Sequence, residues 1–201
     1  MIEFKIFRIH INIDFYFIIM CFILLLGSLF DFSISIILSI IHELGHILFM
    51  KIYKIRINRI NITPFSVDII HNSSFIPYKK EIIILLFGPL INIFLSLLFF
   101  VLYTLSPNQN LFKYISIQSL LIGFINLIPI SSLDGGRILL IWLKNHFDIE
   151  DAEKISFIVS IIFIIPLMTS GFLILFKSNF NISILLLSIY LCYFLILQKW
   201  N

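Results

Sequence analysis

Long apolar runs separated by short polar breaks dominate the chain. Crossing the roughly 30 Å hydrocarbon core of a bilayer takes about 20 apolar residues in a helix, with a range of about 17–25. Six runs meet that need, at 14–30, 33–50, 81–104, 113–133, 155–176 and 181–198. Gly27, Ser28 and Asp31 mark the turn into the second run. Ser106, Pro107, Asn108 and Asn110 mark a later turn, and Lys177, Ser178 and Asn179 the last. No small-x-small site follows the first run, so it reads as a span and not as a removable leader. The stretch 51–78 is too polar to span. In it Ile55 and Ile57 alternate with Arg56 and Asn58, then Ile60 and Ile62 with Asn61 and Thr63. The phase slips near Asn58-Arg59, which points to a bulge or tight turn. Pro64 interrupts, and Ser66 to His71 reads as a second strand. The expected fold is an all-α polytopic membrane protein of about six transmembrane helices. A small β element at the membrane surface lies between helices 2 and 3. No repeat of 20–50 residues is visible.

Composition removes the alternatives. Hydrophobic residues make up 60% of the chain and charged ones 12%, against roughly 45–50% and 25% in soluble domains. Mean hydropathy is +1.09. A soluble domain of this size could not cover so much apolar surface, and a disordered chain has the opposite bias. The net charge of +3 is too small to call for nucleic acid. Cys21 and Cys192 sit far apart inside apolar runs and read as buried thiols. Lys and Arg set the orientation. With the N-terminus in the cytoplasm, all of the 14 except Lys113 and Lys177 fall on the cytoplasmic side. That bias fits six spans with both ends inside.

Polar groups inside spans are expensive, about 2.5–3.5 kcal/mol for a carboxylate at a helix centre on insertion scales, and they mark function by default. Two acids lie deep, Glu43 and Asp134. Glu43 belongs to His42-Glu43-Leu44-Gly45-His46. Residues four apart on a helix stand on one face, about 6 Å apart along the axis. Two imidazoles so placed can share one zinc ion. Glu43, turned by about 100°, can take a proton from water there without being a ligand. A zinc protease also needs a third ligand and an open fourth position. His10, His71 and His146 each read as solvated histidines. Asp134 is better placed. It follows Asn126-Leu127-Ile128-Pro129-Ile130-Ser131-Ser132-Leu133 and precedes Gly135-Gly136-Arg137. Pro129 breaks the helix there, and the paired glycines permit a sharp turn. Both the histidine pair and Asp134 come out toward the cytoplasmic side.

At these residues the sequence resembles the site-2 protease family of intramembrane zinc metalloproteases. The resemblance rests on His42 to His46, on Asn126 to Gly136, and on Gly88-Pro89-Leu90-Ile91-Asn92, which looks like the family's G-P-x-x-N element at the start of the third span. The resemblance implies one Zn2+ per chain on His42, His46 and Asp134, with Glu43 as general base. It implies that Asn126 and Pro129 help hold substrate, Asn126 also serving the oxyanion. Gly88, Pro89, Asn92, Gly135 and Gly136 are implied as structural motif residues, and Asn92 is also readable as plain polar packing. The compact form resembles the stage IV sporulation protein FB group of that family, read as one integral-membrane metalloprotease domain over 1–201 with neither a PDZ insert nor a CBS domain. The group implies removal of the pro-segment of a membrane-associated pro-sigma factor during sporulation, in the bacterial cell membrane or the forespore membrane. Regulatory membrane partners are a further implication; a homo-oligomer is left open by apolar surfaces that face either lipid or a sister subunit, and no nucleic-acid partner is expected. Ser131-Ser132 stand where family members often carry a further proline, which implies a changed loop contact. The 51–71 segment could take up unwound substrate as an added strand. The alternatives are a site-2-type protease for another membrane substrate, such as an anti-sigma factor or signal-peptide remnant, and a metal-binding scaffold or transporter. A prenyl-protein type of zinc protease fits poorly, because the later glutamates Glu81, Glu150 and Glu153 lie at span edges or in a loop.

Overall fold

A computed structural model of the chain describes residues 2–6, 9–15, 29–55, 57–62, 67–71, 76–177 and 183–200. It is mostly helical. The chain divides into two compact units, Met1–Gly123 and Phe124–Asn201.

The first unit combines a sheet with long helices. Strands β1 (Ile2–Ile6), β2 (Ile9–Ile13), β3 (Ile57–Ile62) and β4 (Val67–His71) lie side by side in that order. β1 and β2 are antiparallel, with Ile6 opposite Ile9. β2 and β3 are parallel, with Asn12 opposite Asn61. β3 and β4 are antiparallel, with Asn61 opposite Asp68, and their register shifts between Ile57 and Arg59. β3 is therefore an inner strand. Strand addition through Ile60 or Ile62, as expected for the 51–71 segment, has no free edge to use there.

Helix α1 (Leu29–Ile52) carries the histidine pair, and Asp31 lies inside it rather than in a turn before it. The helix ends in a close at which Ile55 N–H bonds Met50 O at 2.9 Å and Lys54 N–H bonds Lys51 O at 3.0 Å. That pair of hydrogen bonds is the Schellman pattern, which wants a left-handed residue just past the helix. Here the residue is Lys54, at φ 58°. A side chain in that region costs about 1–2 kcal/mol, and a β-branched one more. Lys54→Gly should accordingly raise thermal stability, and Lys54→Val should lower it by about 1–2 kcal/mol. Thermal melts of the three proteins in one detergent check this.

Helix α2 (Tyr78–Leu105) runs past α1 and stacks Phe87 on Phe49 at a ring-centroid distance of 3.4 Å. Gly88 and Pro89 fall inside α2, not at its start. Helix α3 (Asn110–Leu127) packs on α2 through small and polar residues. Ser116 Oγ donates to Ser96 O at 2.9 Å, and Ser119 Oγ to Asn92 O at 2.8 Å. All four residues are buried. Hydroxyls paired with helix carbonyls in this way let two apolar helices approach closely without stranding a polar group.

The second unit holds helices α4 (Asp134–Lys144), α5 (Ile149–Lys177) and α6 (Ser183–Trp200). Ile130, Ile164, Leu191 and Leu195 form its buried core. Lys144 and Glu153 bridge α4 to α5 at 2.7 Å.

Among the described residues, three helices are long and apolar enough to cross a membrane: Ser33–Ile52 within α1, Tyr78–Leu105 and Ile149–Phe176 within α5. A shorter apolar stretch, Ile184–Ile196, lies in α6. The expected span at 14–30 falls mostly on residues outside those described. The expected span at 113–133 is not one helix. α3 stops at Leu127, residues 128–133 are irregular, and α4 begins at Asp134.

Candidate metal centre

His42 and His46 lie one turn apart on α1, 4% and 6% exposed, and their Nε2 atoms are 3.3 Å apart. Two nitrogens at about 2.0–2.1 Å from one tetrahedral zinc ion would be separated by roughly 3.3–3.4 Å. The pair thus already has the spacing of one tetrahedral edge. His46 Nδ1 lies 2.9 Å from the carbonyl oxygen of Ile84 on α2. A carbonyl only accepts, so Nδ1 carries the proton and donates it. Nε2 of His46 is then the lone-pair nitrogen, oriented as a metal ligand requires.

Gly88 forms the surface under this pair. A Cβ at that position would come within 2.9 Å of His42 Nε2 and nearer still to the Nε2 and Cε1 atoms of His46. The two rings occupy the space a side chain would fill. Asn92, one turn further along α2 and fully buried, packs against α3 and takes Ser119's hydroxyl on its carbonyl.

Asp134 is reached through a loop of two tight turns. Ile130 N–H bonds Ile128 O at 2.8 Å across Pro129, whose fixed φ suits the centre of such a three-residue turn. Leu133 N–H then bonds Ile130 O at 2.8 Å, a four-residue turn with Ser131 and Ser132 at its centre. Helix α4 follows, with Leu133 at the cap position and no side-chain cap bond. Asp134 therefore stands in the first helical turn and is not the cap that an interfacial aspartate would supply. It is buried, 9% exposed. Gly135 and Gly136 are helical, and no described glycine has a positive φ. The sequence reading of them as a turn is corrected: they are small because the loop packs on the helix. A Cβ on Gly135 would strike the carbonyls of Leu127 and Ile128, and one on Gly136 the carbonyl of Ile130.

His42, His46 and Asp134 form one group able to hold a metal ion, each offering a ligand atom within 4.8 Å of the others. Two imidazoles and a carboxylate match the three protein ligands of a catalytic zinc site. The residues fit the metal. Glu43, half-buried, is the next residue after His42 and stands outside the ligand group. Asn126 and Pro129 are half-buried, at the end of α3 and in the loop. Asn126, Glu43, His42 and Asp134 all make further polar or ring contacts. The sequence reading missed Ile84, since its part is played by a backbone carbonyl that no side chain advertises.

Three comparisons bear on the chain. The family description Peptidase family M50 matches residues 106–167, which hold Asp134 and its loop but not the histidine pair. Stage IV sporulation protein FB of Bacillus subtilis (strain 168) is 29% identical over 186 residues, 92% of this chain and 63% of that protein. Zinc metalloprotease MJ0392 of Methanocaldococcus jannaschii is 29% identical over 121 residues, 58% of this chain and 35% of that protein. The chain thus spans less than two thirds of the length of both relatives. The solved site-2 protease from Methanocaldococcus jannaschii superposes with a TM-score of 0.70 at 26% identity, covering 96% of this chain and 92% of that one. Sequence and fold agree with the resemblance read from the motifs: residues 106–167 match peptidase family M50, most of the chain is similar to a sporulation protein of 29% identity, and the fold is similar to that of a solved site-2 protease.

Proposed function

We propose that the chain is an intramembrane zinc metalloendopeptidase that removes the pro-segment of a membrane-associated pro-sigma factor during sporulation. The observation that carries the peptidase reading is the buried group of His42, His46 and Asp134 beside Glu43. The sporulation context is supported by the likeness to stage IV sporulation protein FB. The charge bias supports six spans, cytoplasmic termini and a site toward the cytoplasmic side.

His42, His46 and Asp134 would hold the ion. Zinc supplies a Lewis acid for a carbonyl and lowers the pKa of water toward 7. Glu43 takes a proton from the attacking water as its oxygen bonds to the scissile carbonyl carbon. The side-chain amide of Asn126 donates to the oxyanion that develops there. Glu43 then hands the proton to the departing amine as the C–N bond breaks. Pro129 keeps the loop beside this path rigid by its fixed φ.

The test is co-expression in membranes with a tagged pro-sigma factor, using wild type and Asp134→Ala. Wild type should shorten the tagged protein. Asp134→Ala should lose both the product and the bound zinc, because two histidines alone hold the ion weakly. Equal cleavage by both proteins would end the peptidase assignment. Zinc bound by wild type without cleavage would end the pro-sigma assignment.

A further inference from the structure

The loop before Asp134 has an anchor that the zinc chemistry does not require. Ser131 N–H donates to Ser160 Oγ at 3.0 Å, linking the loop to α5. The same hydroxyl donates to Ser156 O, one turn back on α5, at 2.8 Å. Ser160 is fully buried. Its oxygen thus receives one hydrogen bond and gives another, with no water needed.

Ser131 occupies the second position of the turn closed by Leu133 N–H and Ile130 O. Proline is favoured at that position, because its ring presets the φ the turn uses. Lys54 alone among the described non-glycine residues has a positive φ, so Ser131 lies on the side of φ that proline can adopt. A proline there would stiffen the turn but has no N–H to give to Ser160. A serine leaves the turn softer and supplies the donor. The chain therefore has two physically distinct ways to hold this loop, and it uses the hydrogen bond. Ile130, one residue earlier, is fully buried against Ile164 and Leu191, so the loop is held on either side of the peptide that Ser131 contributes.

We propose that Ser160 is a positioning residue: by accepting the Ser131 N–H it fixes the turn that sets Asp134, doing by hydrogen bond what a proline at 131 would do by ring closure. The proposal rests on the reading of Asp134 as a metal ligand. It concerns no group that touches substrate.

The experiment uses the full chain in detergent, loaded with zinc or with Co2+. The readouts are metal retained against a competing chelator, the Co2+ absorption spectrum, and cleavage. A single hydrogen bond is worth about 0.5–1.5 kcal/mol net, so Ser160→Val should hold metal about twofold to tenfold more weakly, with a shifted Co2+ spectrum. Ser160→Thr has the volume of Ser160→Val but keeps the hydroxyl, so it should hold metal more tightly than Ser160→Val and give the wild-type Co2+ spectrum. Ser131→Pro should retain metal well, and adding Ser160→Val to it should cost nothing more. Equal behaviour of Ser160→Thr and Ser160→Val would overturn the proposal. So would an undiminished effect of Ser160→Val in the Ser131→Pro background, since packing alone would then explain it. Asp134→Ala in the same assay separates the two claims: unchanged metal and spectrum there would remove the ligand reading itself.

Discussion

Glu43→Gln should abolish cleavage while leaving one zinc ion per chain in place. The amide has the shape of the carboxylate but cannot accept the proton of an attacking water. A positioned general base contributes typically 10²- to 10⁴-fold, so turnover should fall by about that factor. Metal should stay, because the group able to hold the ion is His42, His46 and Asp134, and Glu43 is outside it. The measurement is zinc content beside product formation on the same membranes. A variant that lost zinc as well would make Glu43 part of the binding set. A variant that still cut at the normal rate would make another group the base. Set against Asp134→Ala, which should lose both properties, the pair divides holding the ion from moving the proton.

The residues that could be read from the sequence are those whose side chains act at fixed helical spacing. His42 and His46 need only an α-helix to converge, and the apolar run around them supplies one. Asp134 alone reads as an ordinary helix cap at the interface, and only the histidine pair elsewhere in the sequence makes it a candidate third ligand. What stayed hidden acts through the backbone or across long separations. Ile84 contributes a carbonyl. Ser160 has no sequence signature that separates it from other serines within a span, because its partner is a backbone N–H 29 residues away. The strands at 2–13 were also missed. Ile9, Ile11 and Ile13 alternate with His10 and Asn12, but that alternation runs straight into the apolar stretch that begins at 14. Its parallel partner, β3, lies beyond the whole of α1, and parallel pairing leaves no hairpin signal in the sequence. The helix break at 128–133 is legible as Pro129, whereas the paired glycines suggest a turn in sequence and are helical in the structure. Glycine marks either an unusual φ or a close approach, and composition does not say which. Here the approach is the cause, with the carbonyls of Leu127, Ile128 and Ile130 against the first turn of α4.

Gly88→Ala should strip the metal from the protein and reduce cleavage to background. In an ordinary helix interior the same change stabilises by about 1 kcal/mol, since alanine is the better helix former. At this position the added methyl meets two imidazoles, at 2.9 Å from His42 Nε2 and closer to the ring of His46. His46 cannot simply swing away, because its Nδ1–H is committed to Ile84 O at 2.9 Å. Moving the ring costs that bond, and leaving it costs the overlap. Either way the 3.3 Å spacing between the two Nε2 atoms is lost. Disturbing the groups that orient metal ligands typically costs 10- to 100-fold in affinity, and a direct collision with both ligand atoms should reach at least the upper end, about 100-fold. Helix content should be unchanged, so circular dichroism beside zinc analysis tells site damage from unfolding. Leu90→Ala, at an exposed position two residues on, is the control and should keep its zinc. Full zinc occupancy in Gly88→Ala would mean that the histidines bind the ion from another side of α1. The fit of α1 on α2 at Gly88 would then carry no part of the site.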